Sequence, residues 1–252
     1  MNHHAIFRAA SHAAILLAAV LSVATPVQAQ EKTGSKAGFV LKSGTARIIL
    51  VRPNIRVGAQ STGGLNEPNA DWTQQARENI AAALRTAQAG LGNVVVEYDE
   101  GASGEGAVMA NYAKLFGAVA DSVIEYQFFV GNRLPTKKRK DSFEWSIGPE
   151  IGKLHSLEGA DYALFINTHD EYGSTGRKVL QVVAMMGGIG MTAGVHAGHA
   201  GLVDLRTGEL VWLNADREMG GDVRTAEGAA KRVAQLLEGF PGRPAQTAIA
   251  AH

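Results

Sequence analysis

The segment "LVDLRTGELVWLNAD" (residues 202–216) constrains the fold more than any other part of the chain. Two apolar runs flank a short polar turn, which is the pattern of a β-hairpin. Gly208 stands where a loop of three to four residues needs a positive φ, and Asp204 can accept hydrogen bonds from the backbone amides of the turn. We therefore predict an antiparallel strand pair, and a structural role in the domain explains its residue types.

The first half of the chain carries the pattern of a βαβ unit. A buried strand from Ile48 to Val51 is followed by a helix that Asp71 caps and Gly90 stops, and then by a Val-rich strand at 93–99. A strand, a helix of about five turns and another strand favour parallel pairing of the two strands.

The second half predicts a further helix and an antiparallel meander. Apolar residues recur at helical spacing over 107–129, and the run from Ala163 to Ile166 is apolar on both faces, as in a central strand. The remaining predicted elements are strands at 178–186 and 194–205 joined by "GGIGMT", a strand at 209–214 and a helix at 224–238. The fold class is therefore α/β (α+β): a single mixed β-sheet with a βαβ unit, a C-terminal antiparallel meander and amphipathic helices packed on it.

An alternative reading concerns the Gly-rich part of this meander. Gly190, Gly194 and Gly198 recur at a spacing of four residues, which also suits the small face of a membrane helix spanning about 179–201. Gln181, together with two histidines, opposes that reading because polar side chains are unfavourable in lipid. The strand pair and the membrane helix remain the two alternatives.

The N-terminus predicts export. Arg8 precedes the apolar run "AAILLAAVLSVA" (13–24), and small residues follow at a cleavage position before Gln30. We predict a signal peptide at 1–29, a flexible leader at 30–45, a single domain at 46–240 and a flexible tail at 241–252. The expected location is the periplasm, in a soluble or peripherally membrane-associated form.

Charge and cysteine content narrow the function classes. Removing residues 1–29 removes one Arg and no acidic residue, which leaves 23 Lys and Arg against 24 Asp and Glu. A balanced chain of this kind argues against nucleic acid as a partner, because such binding relies on clustered positive charge. The absence of cysteine excludes disulfides, thiolate metal sites and a lipid-bearing N-terminal Cys.

The sequence lacks the common motifs for catalysis, cofactor binding and metal binding. The sequence contains no G-x-S-x-G, H-E-x-x-H, S-x-x-K or phosphate-binding G-x-x-x-x-G-K motif. His196 and His199 are three residues apart, so in a strand they point to opposite faces and cannot hold one ion together. We predict a protein that is not an enzyme, with no cofactor and no metal site.

Three segments of the chain carry a resemblance to a known family: "GADYALFINTHD", "AGLVDLRTGELVW" and "GDVRTAEGAAKRVAQLLEGF". Together they resemble the CsgG-like envelope proteins, a group that includes modules with a TolB N-terminal-like α/β fold, and the resemblance covers about residues 159–240. It implies a non-catalytic domain used for assembly, secretion or partner activation at the envelope. The lipidated Cys of those lipoproteins is missing here.

Two exposed segments are the candidate interaction surface. The first is the Gly- and Met-rich tip after the apolar run, and the second is a basic loop near Trp145 that could contact anionic lipid or an acidic partner. Their residues are Met185, Met186, Gly187, Gly188, Ile189, Gly190 and Met191, and Lys137, Lys138, Arg139 and Lys140.

The predicted function is a periplasmic module that mediates protein–protein contacts in cell-envelope assembly or secretion. Its expected partners are one or more envelope proteins, with membrane-surface contact and a homo-oligomer as further options. The alternative is a periplasmic small-molecule-binding protein or hydrolase, whose site would lie at the strand ends near Asp99, His169 and Asp170.

Overall fold

The computed structural model of the chain describes residues 31–101, 104–129, 142–188, 190 and 194–243. Within these residues, four α-helices and one mixed sheet of nine strands confirm the predicted fold class. The strands are β1 (Glu31–Ser35), β2 (Arg47–Leu50), β3 (Asn54–Gln60), β4 (Asn66–Pro68), β5 (Val94–Glu97), β6 (Trp145–Ser146), β7 (Tyr162–Gly173), β8 (Gly194–Asp204) and β9 (Glu209–Asp216). The helices are α1 (Ala70–Gln88), α2 (Gly106–Val123), α3 (Thr175–Met186) and α4 (Ala226–Leu236).

Strand β7 is the centre of the sheet, as its apolar run predicts. The main path of the sheet runs β1-β9-β8-β7-β2-β5, and β3 continues alongside β7 after β2 ends. β7 is parallel to β2 and β3 and antiparallel to β8. The predicted parallel pairing of the two N-terminal strands is also confirmed, since β2 and β5 pair in parallel.

The two faces of the sheet carry separate cores. Leu164 and Ile166 of β7 face the side covered by α1 and α4, whereas Ala163 and Phe165 face the side covered by α2. Alternate residues of a strand point to opposite faces, so both sides of β7 are buried by helices. Phe165 stacks on Phe116 of α2, with 4.7 Å between the ring centroids.

The hairpin predicted at 202–216 is confirmed in detail. β8 and β9 pair antiparallel, and Asp204 Oδ1 accepts hydrogen bonds from the backbone amides of Arg206 (2.8 Å) and Thr207 (3.1 Å). Gly208 has a φ of 69°, a left-handed conformation that favours glycine. Each residue type that the turn pattern singles out has the expected role.

Three details at the N-terminal side differ from the prediction. Residues Glu31–Ser35 of the predicted flexible leader form β1 on the edge of the sheet, where they pair with β9. The cap of α1 is Asn69, whose side chain accepts from the Trp72 amide, and Asp71 lies in the first turn instead. The structure also adds a strand that the sequence pattern did not predict: β3 begins at Asn54, directly after Pro53, which cannot donate to a sheet ladder.

The segment predicted as a strand at 178–186 is a helix. Ser174 caps α3 through a hydrogen bond from the Arg177 amide, and Gly187 and Gly188 end the helix. The strand at 194–205 is confirmed as β8. The membrane helix across 179–201 is wrong, because α3 stops at Met186 and an extended strand begins at Gly194. Among the described residues, none of the helices is long and apolar enough to cross a membrane.

Several predicted features lie outside the described residues. They are the signal peptide at 1–29, the basic residues Lys137, Lys138, Arg139 and Lys140, the tip residues Ile189 and Met191, and the tail beyond residue 243.

Candidate functional site

Helix α3 presents an apolar face to solvent. Val179, Val182, Val183 and Met186 follow the spacing i, i+3, i+4 and i+7, so they share one side of the helix. Val182 is 57% exposed, Val183 60% and Met186 85%. Of the large hydrophobic side chains that are exposed in the described part of the chain, half belong to this helix. We call Val179, Leu180, Val182, Val183, Met185 and Met186 the α3 face.

The side of α3 that faces the protein is polar or small. Arg177 and Ala184 are buried, and an ideal Cβ on Gly64 would lie 3.2 Å from Arg177 Nη1, so the 61–65 loop contacts this arginine. A surface helix ordinarily directs its apolar stripe inward and its polar stripe to water. α3 has the opposite arrangement, and Leu65 in the same loop adds another exposed apolar side chain.

The described members of the predicted interaction surface lie at this helix. Met185 and Met186 belong to the α3 face, and Gly187 and Gly188 follow directly and are exposed, as is Gly190. The sequence therefore identified the end of the exposed element but missed the helix before it. The helical spacing of the apolar residues was the signal that could have revealed it.

A buried ion pair anchors α4 to β7 near the C-terminal end of that strand. Asp170 and Arg232 have fully buried side chains, and two hydrogen bonds of 2.8 Å join the guanidinium to the two carboxylate oxygens. His196 Nδ1 lies 2.8 Å from Asp170 Oδ1, and the ring packs on Tyr172. Arg232 also donates to the carbonyl oxygens of Gly220 and Gly221. This network holds the end of the sheet together.

The opposite face of the same sheet end holds an open groove of about 490 Å³. Its floor is formed by side chains of β3, β7, β8 and β9, and its wall by the C-terminal end of α2 and the turn that follows it. The groove has charged or titratable groups of both signs: the basic side chains are Arg56, His169, His199 and Arg217, and the acidic ones are Asp121, Glu125 and Asp216. Partial burial raises the pKa of Asp121, and the nearby Arg56 acts in the opposite direction.

His199 is a buried neutral histidine in this groove. Burial lowers its pKa from 6.5 to about 4, and the positive charge of Arg56 acts in the same direction. The Asn167 amide lies 2.7 Å from His199 Nε2 and can donate to it when the ring is neutral. Because this nitrogen accepts a hydrogen bond, the neutral form fits the site and protonation would disrupt it.

We expect the buried His199 to make the protein less stable as the pH falls from about 6.5 to 4. The unfolded chain takes up a proton in that range and the folded chain does not, so the free energy of unfolding decreases, by roughly 3 kcal/mol in full. A His199→Gln variant keeps an amide for Asn167 and cannot titrate. Urea unfolding at pH 7, 5.5 and 4 should show a smaller loss for the variant; parallel losses in both proteins would contradict the assignment.

The three residues of the alternative site do not meet. Asp99 lines a separate pocket with Arg52 and Glu100, at the end of β5. His169 lines the groove on the α2 side of the sheet, whereas Asp170 is buried on the α4 side, because neighbouring strand residues point to opposite faces. His196 and His199 are divided in the same way, as the strand spacing predicts. The described part of the chain contains no group of three or more His, Asp or Glu residues that could hold a metal ion.

Comparisons with known proteins do not identify a family for this chain. No family model and no curated protein matches the chain. Among solved structures, PelC from Paraburkholderia phytofirmans, a dodecamer, is 13% identical over 84% of this chain and 98% of that chain, with a TM-score of 0.35. A variant of the same PelC is 15% identical over 84% and 97%, and a DUF4136 family protein from Bacteroides thetaiotaomicron is 11% identical over 84% and 97%, each with a TM-score of 0.35. Similarity at this level indicates neither a family nor a function.

Proposed function

We propose that the protein is a non-catalytic periplasmic module that mediates contacts, including contacts with other proteins, in cell-envelope assembly or secretion. The observation that carries this proposal is the α3 face: six large apolar side chains on one helix of twelve residues are exposed to solvent. A contiguous apolar surface of this kind marks an interaction site in a soluble domain. The α3 face is therefore the contact element.

The state of the polar clusters supports the non-catalytic part of the proposal. An Asp–His pair is the usual partner of a catalytic hydroxyl, but Asp170 also binds Arg232 through both oxygens. Within the described residues, the bond to Asp170 is the only hydrogen bond that the His196 ring makes. Asp170 instead serves to fix α4 on the sheet through Arg232.

Replacing Val182 and Val183 together with aspartate is expected to release the protein from its envelope contacts without unfolding it. Both side chains are exposed, so two charges there should change the free energy of unfolding by less than about 1 kcal/mol. The measurement is crosslinking in intact cells followed by fractionation, with unfolding curves of the purified variant alongside. The matched control is Val108→Asp with Leu115→Asp, two exposed apolar residues of α2. Equal recovery of crosslinked products from the variant and the wild type would refute the role of α3.

A second candidate function is small-molecule binding in the groove. It is favoured by Arg56, which lines the groove and forms no ion pair with the other described residues. A ligand that binds the folded state raises the melting temperature in a concentration-dependent way. A metabolite screen by thermal melting tests it, with Arg56→Ala as the variant that should lose the shift.

A further inference from the structure

The α3 face is too small to hold a second copy of this chain by itself. A helix of twelve residues is about 18 Å long and about 10 Å wide. A specific protein interface buries about 800 Å² on each partner, and a strip of this size supplies well under half of that area. A flat bilayer surface, in contrast, needs neither a matching groove nor a minimum contact area.

The N-terminal segment leaves the sheet at the end that carries α3. The pairing register places Glu31 opposite Asp216, Asp216 opposite Gly198, and Gly198 opposite Thr168. β7 continues for five more residues to Gly173, which adds about 17 Å before α3 begins. The chain start and the α3 face therefore project from the same end of the sheet.

The linker between the apolar N-terminal run and β1 is about as long as the distance by which α3 projects beyond β1. Six residues, 25–30, separate the run at 13–24 from Glu31. Six residues span at most about 20 Å when extended. We predict that this run is a signal peptide; while a membrane holds it during export, it would tether β1 close to the bilayer and bring the end of the sheet that carries α3 within reach of the same surface.

The charges of α3 suit an anionic lipid surface. The helix contains no Asp or Glu, and its exposed basic residue, Lys178, lies beside the α3 face, whereas Arg177 is buried against the protein. Helices that lie in the membrane interface combine an apolar face with basic residues, and a basic residue near an anionic leaflet is favourable. An aspartate or glutamate on the rim of α3 would have opposed this contact.

We propose that the α3 face lies on the surface of a lipid bilayer, with its valine and methionine side chains in the headgroup region. This inference rests on the proposed function and names the envelope component that α3 contacts. Protein partners then bind the rest of the surface once α3 has placed the domain on the membrane. The helix is peripheral to the membrane, because it ends after twelve residues and the chain returns into the sheet as β8.

The chain allows a direct test because it contains no cysteine. Met186→Cys places a single environment-sensitive fluorophore on the α3 face, and Val108→Cys places one on α2. Glu105, just before α2, accepts hydrogen bonds from Ser156, which precedes β7, whereas α3 follows the other end of β7. Val108 therefore lies at the end of the domain opposite to α3. The labelled protein is purified from expressing cells, its N-terminus is read by mass spectrometry, and it is mixed with vesicles of phosphatidylethanolamine and phosphatidylglycerol. We expect a blue shift and stronger emission at position 186 only.

The outcomes separate this inference from the proposed function. Val182→Asp with Val183→Asp in the Met186→Cys protein should weaken the vesicle response at least about tenfold. No response at position 186, with crosslinks from α3 to an envelope protein retained, would overturn the bilayer contact and leave the proposed function standing with a protein on α3. Loss of both signals would overturn both, and equal responses at 186 and 108 would show adsorption without orientation and also overturn the inference.

Discussion

Replacing Arg232 with alanine is expected to lower the free energy of unfolding by about 3–5 kcal/mol, because it leaves the carboxylate of Asp170 buried without its guanidinium partner. Neither side chain of this pair is exposed, so water cannot replace the lost hydrogen bonds. Only His196 (2.8 Å) and the Thr168 hydroxyl (3.4 Å) remain as side-chain hydrogen-bond partners of the carboxylate among the described residues. Urea unfolding monitored by circular dichroism measures the loss.

A matched substitution and a double variant make the Arg232 result interpretable. Arg52→Ala removes an ion pair with Glu100 in which both side chains are more than half exposed, and it should cost less than about 1 kcal/mol. Asp170→Leu combined with Arg232→Met removes both charges and should be more stable than Arg232→Ala alone. If Arg232→Ala were no more costly than Arg52→Ala, the pair would not be the anchor of α4.

The parts of the fold that the sequence predicted are those fixed by local chemistry. The turn of the β8–β9 hairpin needs a side-chain acceptor at 204 and a left-handed residue at 208, and both residues identify themselves in the sequence. β7 was predictable because a strand that is buried on both faces contains a continuous apolar run. Both rules act within a few residues, so they hold before any tertiary contact is known.

The α3 segment shows where such rules fail. Val179, Val182, Val183 and Met186 have helical spacing, yet valine favours strands and the apolar run is short, so the segment was predicted as a strand. The surroundings decide between the two: Ser174 caps the helix, and β7, which β3 and β8 flank up to its end, leads directly into it. The pattern would also have directed the apolar stripe inward. The apolar side of α3 is exposed because no other described element packs over it, and no local sequence rule predicts this.

The polar clusters could not be predicted from the sequence for a related reason. His169 and Asp170 are neighbours in sequence but point to opposite faces of β7, so they belong to different clusters. Asp170 meets Arg232, which is 62 positions away, and His199 meets Asn167 from another strand. Charge and hydrogen-bonding capacity are visible in the sequence, but the pairing depends on strand order and register.

Gly208→Ala is expected to destabilise the protein by about 3 kcal/mol or more, although it adds only one methyl group. The φ of 69° is already strained for alanine, by about 1–2 kcal/mol. In addition, an ideal Cβ at this position would overlap the carbonyl oxygen of Gly148. The Gly208 carbonyl accepts hydrogen bonds from the Ile147 amide and the Ser146 hydroxyl, so the hairpin tip is fixed against β6 and cannot shift to relieve the overlap.

Gly38→Ala separates the two causes, because Gly38 has a φ of 74° but an ideal Cβ there meets no atom within 4 Å. This control carries the backbone strain alone and should cost about 1–2 kcal/mol. The difference between the two variants in chemical unfolding therefore measures how tightly the hairpin tip is held by β6. Equal costs would mean that the tip moves freely, and the hairpin would then be a local turn, independent of the segment that precedes β7.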